Sequence, residues 1–235
     1  MITTSTRSPA ELARIAERAA ADLVDAPAEA ILRWAADEFG DGLAVAASMQ
    51  DTALAHLASK VRPGVDVLFL DTGYHFPETI GTADAVELVY DVTLRRLTPE
   101  LTVTDQDTRY GRDLFARDPD LCCAMRKVAP LDRALAGYEA WATGLRRAES
   151  PSRANTPVVS FDPARGKVKI APLAAWSDDD LDDYITEHSV LLNPLLTDGY
   201  PSIGCAPCTR RVQAGQDARA GRWAGLTKTE CGLHT

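Results

Sequence analysis

The sequence predicts an α/β fold in which helices flank a mainly parallel sheet. Two short apolar runs, at 43–47 and 65–70, have the length and composition of buried strands, and a helical pattern follows each of them. Strands that alternate with helices in this way are typical of βαβ units. Ligands of such sheets bind beyond the carboxyl ends of the strands, so we expect the segments after Ala47 and Leu70 to face a ligand.

The other elements follow from the same patterns along the chain. Residues 1–26 have an alanine-rich helical pattern, and Ser177 with Asp180 three residues later resembles the capping box that begins a helix. Further helices are predicted at 52–60, 78–89 and about 125–135, and further strands at 92–97, 140–143, 158–161 and 167–170. The last two strands are expected to pair through a Pro-Ala-Arg-Gly turn. With no repeat or linker, we expect one domain, 1–235, with a flexible tail at about 224–235.

Composition excludes some functions. The formal net charge of −9 would repel a phosphate backbone, so general nucleic-acid binding is not expected, although local arginines can still bind a small anion. The first 26 residues carry scattered acidic side chains and no uninterrupted apolar segment. A cytoplasmic protein without a membrane association is therefore expected, and the sequence leaves self-association into a homo-oligomer open.

The strongest signal is the set of five cysteines. Cys122 and Cys123 form a doublet, Cys205 and Cys208 form a C-x-x-C pair, and Cys231 is followed by four further residues. In a reducing compartment, metal or redox chemistry explains such pairs better than disulfides do. Five cysteines divide naturally into four metal ligands and one remaining thiol.

Four thiolates can bind zinc or an iron–sulfur cluster. Neighbouring side chains diverge, so Cys122 and Cys123 can reach two iron atoms more easily than one zinc ion, which favours a [4Fe–4S] cluster. The alternative is a pair of buried cysteines plus a thioredoxin-like motif. That alternative is weakened because the C-x-x-C pair follows Gly-Tyr-Pro-Ser-Ile-Gly rather than a strand that enters a long helix.

Cations surround both cysteine pairs. Lys127 lies four residues after Cys123, one helical turn away, and can point toward the same site. The second pair is followed by a set of arginines: Arg210, Arg211, Arg219 and Arg222. Such a set can neutralise phosphate and sulfate charges, although each arginine alone could belong to an ordinary solvated face.

Cys231 is the candidate nucleophile. A thiol near the chain end is expected to be mobile and accessible, and His234 could stabilise its thiolate or an anionic ligand. The alternative is an incidental cysteine in a frayed tail.

These motifs together resemble one family. The segments Cys-Cys-x-x-Arg-Lys-x-x-Pro-Leu at 122–131, Thr-Gly-Leu-Arg-Arg-x-x-Ser-x-Ser-Arg at 143–153, Cys-x-x-Cys-Thr-Arg at 205–210 and the terminal Glu-Cys-Gly-Leu-His are similar to those of assimilatory adenylyl-sulfate reductases of the iron–sulfur type. The segment Leu-Asp-Thr-Gly-x-His-Phe-Pro-Glu-Thr at 70–79 is similar to a loop of the same family. The resemblance extends from about Leu43 to the end.

The resemblance implies an adenine nucleotide α-hydrolase-like fold that binds AMP at the strand ends. By family position, the phosphosulfate would be surrounded by Lys127, Arg153, Arg219, Arg222 and His234. Gly144 would approach the ribose, and Ser48 and Leu70 would lie against the nucleoside. The loop 48–51 has Met49 and Gln50 where ATP pyrophosphatases have glycines, which argues against pyrophosphate binding.

The activity implied is thioredoxin-dependent reduction of adenosine 5′-phosphosulfate to sulfite and AMP, with an S-sulfocysteine on Cys231. The cluster held by Cys122, Cys123, Cys205 and Cys208 would be structural and electrostatic. A reductase for the 3′-phosphorylated nucleotide shares the loops and terminal cysteine but typically lacks both cysteine pairs. A non-catalytic iron–sulfur or zinc sensor would not need Cys231, and a sulfur-transferring ATP pyrophosphatase would need the missing glycines.

Overall fold

The computed structural model of the protein describes residues 7–213 and 215–233. Its strands are β1 (Leu43–Ala46), β2 (Val65–Leu70), β3 (Val92–Leu97), β4 (Ala140–Thr143), β5 (Val159–Asp162) and β6 (Lys167–Ile170). Within that part of the chain they form a six-stranded sheet in the order β3-β2-β1-β4-β6-β5. The predicted strands are confirmed, with shifts of one residue at the end of β1 and at both ends of β5.

The sheet is parallel except at one edge. Val45 in β1 pairs with Val67 in β2 on one side and with Ala142 in β4 on the other. The chain therefore builds outward from β1 to β3 and returns to the other side of β1 with β4. β5 pairs antiparallel with β6, as the turn between them predicts. Between the parallel strands β1 and β4, the chain changes the side of β1 on which it adds strands to the sheet. Open α/β sheets bind ligands at such a switch point.

The α-helices are α1 (Pro9–Asp22), α2 (Ala28–Phe39), α3 (Ala53–Val61), α4 (Pro77–Val89), α5 (Val103–Tyr110), α6 (Leu114–Arg117), α7 (Pro119–Cys123), α8 (Ala129–Leu135) and α9 (Asp178–His188). The capping box predicted at the start of α9 is present, because Ser177 accepts a hydrogen bond from Asp180 N and Asp180 accepts one from Ser177 N.

The helix predicted over about 125–135 differs from the structure at its start. Helical structure begins earlier, at Pro119, because Asp118 accepts a hydrogen bond from Leu121 N at 2.9 Å and proline fits the first helical position. Residues Ala124–Val128 then form a π-helical turn before α8. π turns inside helices are frequent at functional sites, and this one joins the cysteine doublet to Lys127.

The two faces of the sheet bury separate clusters, because successive strand residues point to opposite sides. Helices α1 to α4 and α9 contribute to the larger cluster, which includes Val45 and Val67. The smaller cluster contains Ala44 and Trp141 with α8, and Leu233 of the C-terminal tail packs against it. Part of the tail predicted to be flexible is thus docked on the domain. Among the described residues, no helix has the length and apolar composition needed to cross a bilayer.

Candidate active site and metal centre

A cavity opens where β1, β2 and β4 end. Ser48 follows β1, Leu70 is the last residue of β2, and Gly144 follows β4; all three line the cavity. The sheet thus brings together loops that are far apart in sequence, at the point where its strand order reverses. The segments after the first two strands, which the sequence predicts to face a ligand, thus line this cavity.

The loop after β1 is held in an unusual backbone conformation. Met49 has φ of 61°, in the left-handed region that favours glycine, and its side chain is fully buried. Its carbonyl accepts a hydrogen bond from Asn193 Nδ2 at 3.1 Å, and Gln50 Oε1 accepts one from Ile203 N at 2.9 Å. Burial and these contacts offset the backbone strain, so the loop keeps a glycine-like turn without glycine.

The residues predicted for the substrate and the nucleophile line this same cavity: Ser48, Leu70, Lys127, Gly144, Arg153, Arg219, Arg222 and Cys231. His234, predicted for the same site, lies outside the described residues. The predicted set of arginines needs a correction, because Arg210 and Arg211 do not line the cavity. Both are exposed, and Arg211 pairs with Asp198 outside it.

Arg222 forms a half-buried part of the cavity wall. Its guanidinium lies 4.6 Å from the centre of the Trp223 ring, and its Nη1 donates to Ser202 Oγ at 3.2 Å and to the Ile203 carbonyl at 3.1 Å. Its Nε is buried and has no hydrogen-bond partner among the described residues. Burial lowers the pKa of Arg222, and Arg219 lowers it further. A half-buried cation with a buried, unused donor is suited to an anionic ligand.

Arg153 and Arg219 meet the carboxylate of Glu230, the residue before Cys231. Arg153 donates from Nε and Nη2 to the two Glu230 oxygens at 3.0 and 2.8 Å, and Arg219 Nη2 lies 3.3 Å from Glu230 Oε2. Burial would raise the pKa of Glu230, but the hydrogen bonds and charges of the arginines lower it overall. Glu230 is therefore ionised at neutral pH.

Lys127 connects this cavity to the cysteines. It is buried, and it lines both the cavity and a smaller pocket formed by the cysteine pairs. Burial lowers the pKa of Lys127, but the thiols of Cys205, Cys231 and Cys123 raise it more, so the net shift is upward. The ammonium group thus lies within electrostatic range of both the predicted nucleophile and the predicted metal ligands.

The four paired cysteines converge on one pocket from two segments. Cys122 and Cys123 come from α7, and Cys205 and Cys208 come from the 3₁₀ turn Ala206–Cys208 and the residue before it. The second segment is held by a hydrogen bond from Ala206 N to the Tyr74 carbonyl at 2.7 Å. Burial raises the pKa of Cys122 to about 12 and of Cys208 to about 11, and the neighbouring thiols add to both shifts.

The chemistry of this donor set fits an iron–sulfur cluster. All four side chains offer sulfur, three of the four are buried, and the cations Arg126 and Lys127 line the same pocket. Across 7–213 and 215–233, no three histidine, cysteine, aspartate or glutamate side chains form a group that could hold a single metal ion.

Comparison with known proteins identifies the family. A sequence model described as the phosphoadenosine phosphosulfate reductase domain matches residues 42–211, most of the chain. The chain belongs to the phosphoadenosine phosphosulfate reductase family. The match covers all six strands and both cysteine pairs, and it ends before Arg219 and Cys231.

Relatives within the family carry a more specific name. A protein named adenosine 5′-phosphosulfate reductase from Streptomyces coelicolor is 67% identical over 228 residues, which cover 97% of each chain. One of the same name from Mycolicibacterium smegmatis is 60% identical over 233 residues, 99% of this chain and 98% of the relative. Both alignments cover nearly the whole chain, so the resemblance found in the motifs is confirmed.

Solved structures confirm the fold. The phosphoadenylyl-sulfate reductase of Candida auris, a phosphate complex, has a TM-score of 0.70 and 28% identity, covering 84% of this chain and 96% of that one. The FMN adenylyltransferase of Candida glabrata, with FMN and an ATP analogue, has a TM-score of 0.54 at 12% identity, covering 88% and 68%. The second likeness shows the α/β fold alone. The family's nucleotide-binding architecture is the one that the sequence predicts.

Three carboxylates at the cavity were not among the predicted site residues: Asp51, Glu149 and Glu230. Asp51 accepts a weak hydrogen bond from Ala53 N at 3.3 Å, and burial, followed by the charge of Glu149, raises its pKa. Glu230 is a specified residue of the terminal motif that carried the family resemblance, so the sequence held a signal for it, whereas position 149 is unspecified in the 143–153 motif. Their roles depend on which arginine they contact, which the sequence does not give.

Proposed function

We propose that the protein reduces adenosine 5′-phosphosulfate to sulfite and AMP, with thioredoxin as the reductant, in cytoplasmic sulfate assimilation. The observation that carries the proposal is that Cys231 shares one cavity with Lys127 and three arginines at the strand ends. The names of the Streptomyces and Mycolicibacterium relatives support the substrate. A thiol among cations is what transfer of an anionic sulfuryl group requires.

The nucleoside and the phosphosulfate would occupy different parts of the cavity. Ser48, Leu70 and Gly144 offer backbone and apolar surface at the strand ends, where the adenosine would lie. Arg222, with its unused Nε, would bind the phosphosulfate together with Lys127, and Arg153 and Arg219 would complete the cationic surface.

The first chemical step is attack by the Cys231 thiolate on the sulfur of the sulfate group. A bond forms between Cys231 Sγ and that sulfur, and the bond from sulfur to the bridging phosphate oxygen breaks. AMP leaves with the electron pair of the broken bond, and S-sulfocysteine remains on Cys231. The arginines and Lys127 stabilise the negative charge that moves onto the leaving phosphate.

The second step needs an external dithiol, for which we propose thioredoxin. One thiolate attacks Cys231 Sγ, sulfite leaves with the electron pair of the S–S bond, and a mixed disulfide forms. The second thiol of the reductant resolves that disulfide and regenerates Cys231. The dithiol is oxidised by two electrons in total, which balances the reduction of the sulfuryl group to sulfite.

Cys122, Cys123, Cys205 and Cys208 would hold a [4Fe–4S] cluster. When bound, the cluster supplies local charge and cross-links α7 to the 205–208 turn, while the dithiol supplies the electrons. Lys127 follows the cysteine doublet on the π turn and lines the cavity, so this residue would connect the cluster site to the substrate site.

A second candidate is reduction of the 3′-phosphorylated nucleotide. The phosphoadenylyl-sulfate reductase of Candida auris, at 28% identity, favours it. Against it, the loop 48–52 contains no cation, and Asp51 and Glu149 add carboxylates to the cavity. A 3′-phosphate near these groups would be repelled, so we propose a preference for the nucleotide without it.

The test is sulfite release from the two nucleotides, compared side by side with thioredoxin present. We expect kcat/KM to be at least about tenfold higher for adenosine 5′-phosphosulfate, because each factor of ten needs only about 1.4 kcal/mol of discrimination. Equal or faster turnover of the 3′-phosphorylated nucleotide would assign the second activity instead. Absence of sulfite from both, with nucleotide binding intact, would support a non-catalytic sensor.

A further inference from the structure

The carboxylate of Glu230 occupies two guanidinium groups that the proposed reaction needs for its substrate. Arg153 binds it at two points, and Arg219 lies beside the same oxygen. The side chains of Arg153, Arg219 and Glu230 are only 13%, 15% and 20% exposed. Two-point, charge-assisted contacts in such a shielded place are stronger than exposed surface pairs.

The charges around Arg153 are already balanced by protein groups. Glu149 Oε2 lies 2.6 Å from Arg153 Nη1, the guanidinium nitrogen that makes no contact with Glu230. The same Glu149 oxygen accepts a hydrogen bond from Arg146 N at 3.0 Å. Glu149 is thus fixed within its own turn. Two arginines facing two carboxylates have no net charge left to attract a phosphosulfate, unless the carboxylate on the tail moves away.

We propose that Glu230 is an internal competitor of the substrate's anionic group, and that adenosine 5′-phosphosulfate takes Arg153 and Arg219 from it on binding. The inference rests on the proposed function. Before substrate binds, Glu230 holds the adjoining Cys231 at the cavity. When substrate binds, release of Glu230 frees Cys231 to change position.

The rest of the tail keeps separate attachments when Glu230 is released. Lys228 pairs with Asp120 of α7 and lies 5.7 Å from the centre of the Trp223 ring. Leu233 packs against the smaller core cluster, and its carbonyl accepts a hydrogen bond from Arg165 Nη1 at 3.3 Å. Loss of the Glu230 contact therefore allows Cys231 to shift without undocking the whole tail. Glu230 is accordingly a positioning residue for the nucleophile.

The test measures nucleotide affinity in a protein that cannot turn over. Cys231→Ser and Cys231→Ser/Glu230→Gln are compared for the dissociation constant of adenosine 5′-phosphosulfate by calorimetry. Glutamine keeps the shape of Glu230 and removes its charge, so we expect roughly threefold to tenfold tighter binding, because the competing state is removed. Adenosine, which has no anionic group, should bind equally to both proteins.

A matched control separates competition from general loosening of the tail. Asp120→Asn in the Cys231→Ser background weakens the Lys228 pair without touching the arginines, and it should leave the dissociation constant within about twofold. Glu230→Ala should act in the same direction as Glu230→Gln. Equal or weaker binding in both Glu230 variants would overturn this inference alone, whereas failure of the Cys231→Ser protein to bind the nucleotide at all would overturn the proposed function as well.

Discussion

Gly204 lies directly against the guanidinium of Arg222. A Cβ added to Gly204 would be 2.4 Å from Arg222 Nη2 and 2.6 Å from Cζ, distances at which one of the two groups must move. Gly204 has no positive φ, so the backbone itself would accept alanine. Glycine is therefore required at 204 to leave space for the Arg222 guanidinium, and not to allow an unusual backbone conformation.

Gly204→Ala should weaken nucleotide binding while the protein stays folded. The new methyl group would push the Arg222 guanidinium out of its place above Trp223, with loss of its contacts to Ser202 and the Ile203 carbonyl. Hydrogen bonds to charged groups contribute about 1.5–3 kcal/mol, so we expect at least about a tenfold increase in the dissociation constant of adenosine 5′-phosphosulfate. Calorimetry on Cys231→Ser and on Cys231→Ser/Gly204→Ala measures this dissociation constant.

Gly81 provides the matched control for that substitution. It lies within α4, and an added Cβ would meet nothing within 4 Å. Gly81→Ala should leave affinity unchanged and raise the free energy of unfolding by about 0.5–1 kcal/mol, because alanine is the better helix former. Unchanged affinity in Gly204→Ala would show that Arg222 accommodates the methyl group without cost.

Replacement of any one of Cys122, Cys123, Cys205 or Cys208 by serine should remove a brown visible absorbance that the wild type shows. Loss of one thiolate breaks the donor set on which an iron–sulfur cluster depends. Cys231→Ser should keep the colour, because Cys231 lines the neighbouring cavity instead. Spectra and iron analysis of anaerobically purified protein provide the measurement. A colourless wild type with stoichiometric zinc would rule out the cluster.

Incubation with adenosine 5′-phosphosulfate and no reductant should add one sulfonate group, roughly 80 Da, to Cys231. The adduct should disappear when thioredoxin is added, with release of sulfite. Mass spectrometry of peptides locates the modification. Cys231→Ser should bind nucleotide but form no adduct, and an adduct on another cysteine would refute the proposed nucleophile.

Stability should fall as the pH drops below about 6.5, because buried His56 and half-buried His75 resist protonation. Burial, with Lys127 as a further cause, lowers the pKa of His75 from 6.5 despite its hydrogen bond to the Leu70 carbonyl, and burial also lowers that of His56. The unfolded chain binds these protons at a higher pH than the folded one. The stability they contribute is therefore present above 6.5 and is lost below it.

Thermal unfolding at about pH 7.5 and about pH 5.5 tests this dependence. His75→Gln can still donate to the Leu70 carbonyl but takes up no proton, so its melting temperature should fall less between the two values than that of the wild type. An equal fall in both proteins would mean that His75 does not contribute.

The strands and the cysteine pairs could be predicted because their causes are local. The apolar run that forms β2 is followed by Asp71-Thr72-Gly73. A short apolar run bounded by turn residues has few alternatives to forming a buried strand. The doublet and the C-x-x-C pair are chemical patterns that chance seldom produces. The sequence alone therefore determined the mainly parallel sheet and the division of the cysteines into two pairs and one separate thiol. Through the resemblance of its motifs, it also determined the family.

Contacts between distant segments decided the rest. Met49 takes a glycine-like φ only because packing and Asn193 hold it there. Arg211 is as cationic as Arg222, yet one lies outside the cavity and the other forms its wall. One of the two arginine partners of Glu230, Arg153, is 77 residues away. Such pairings depend on how the sheet folds and where the tail docks, and short-range sequence patterns carry no information about them.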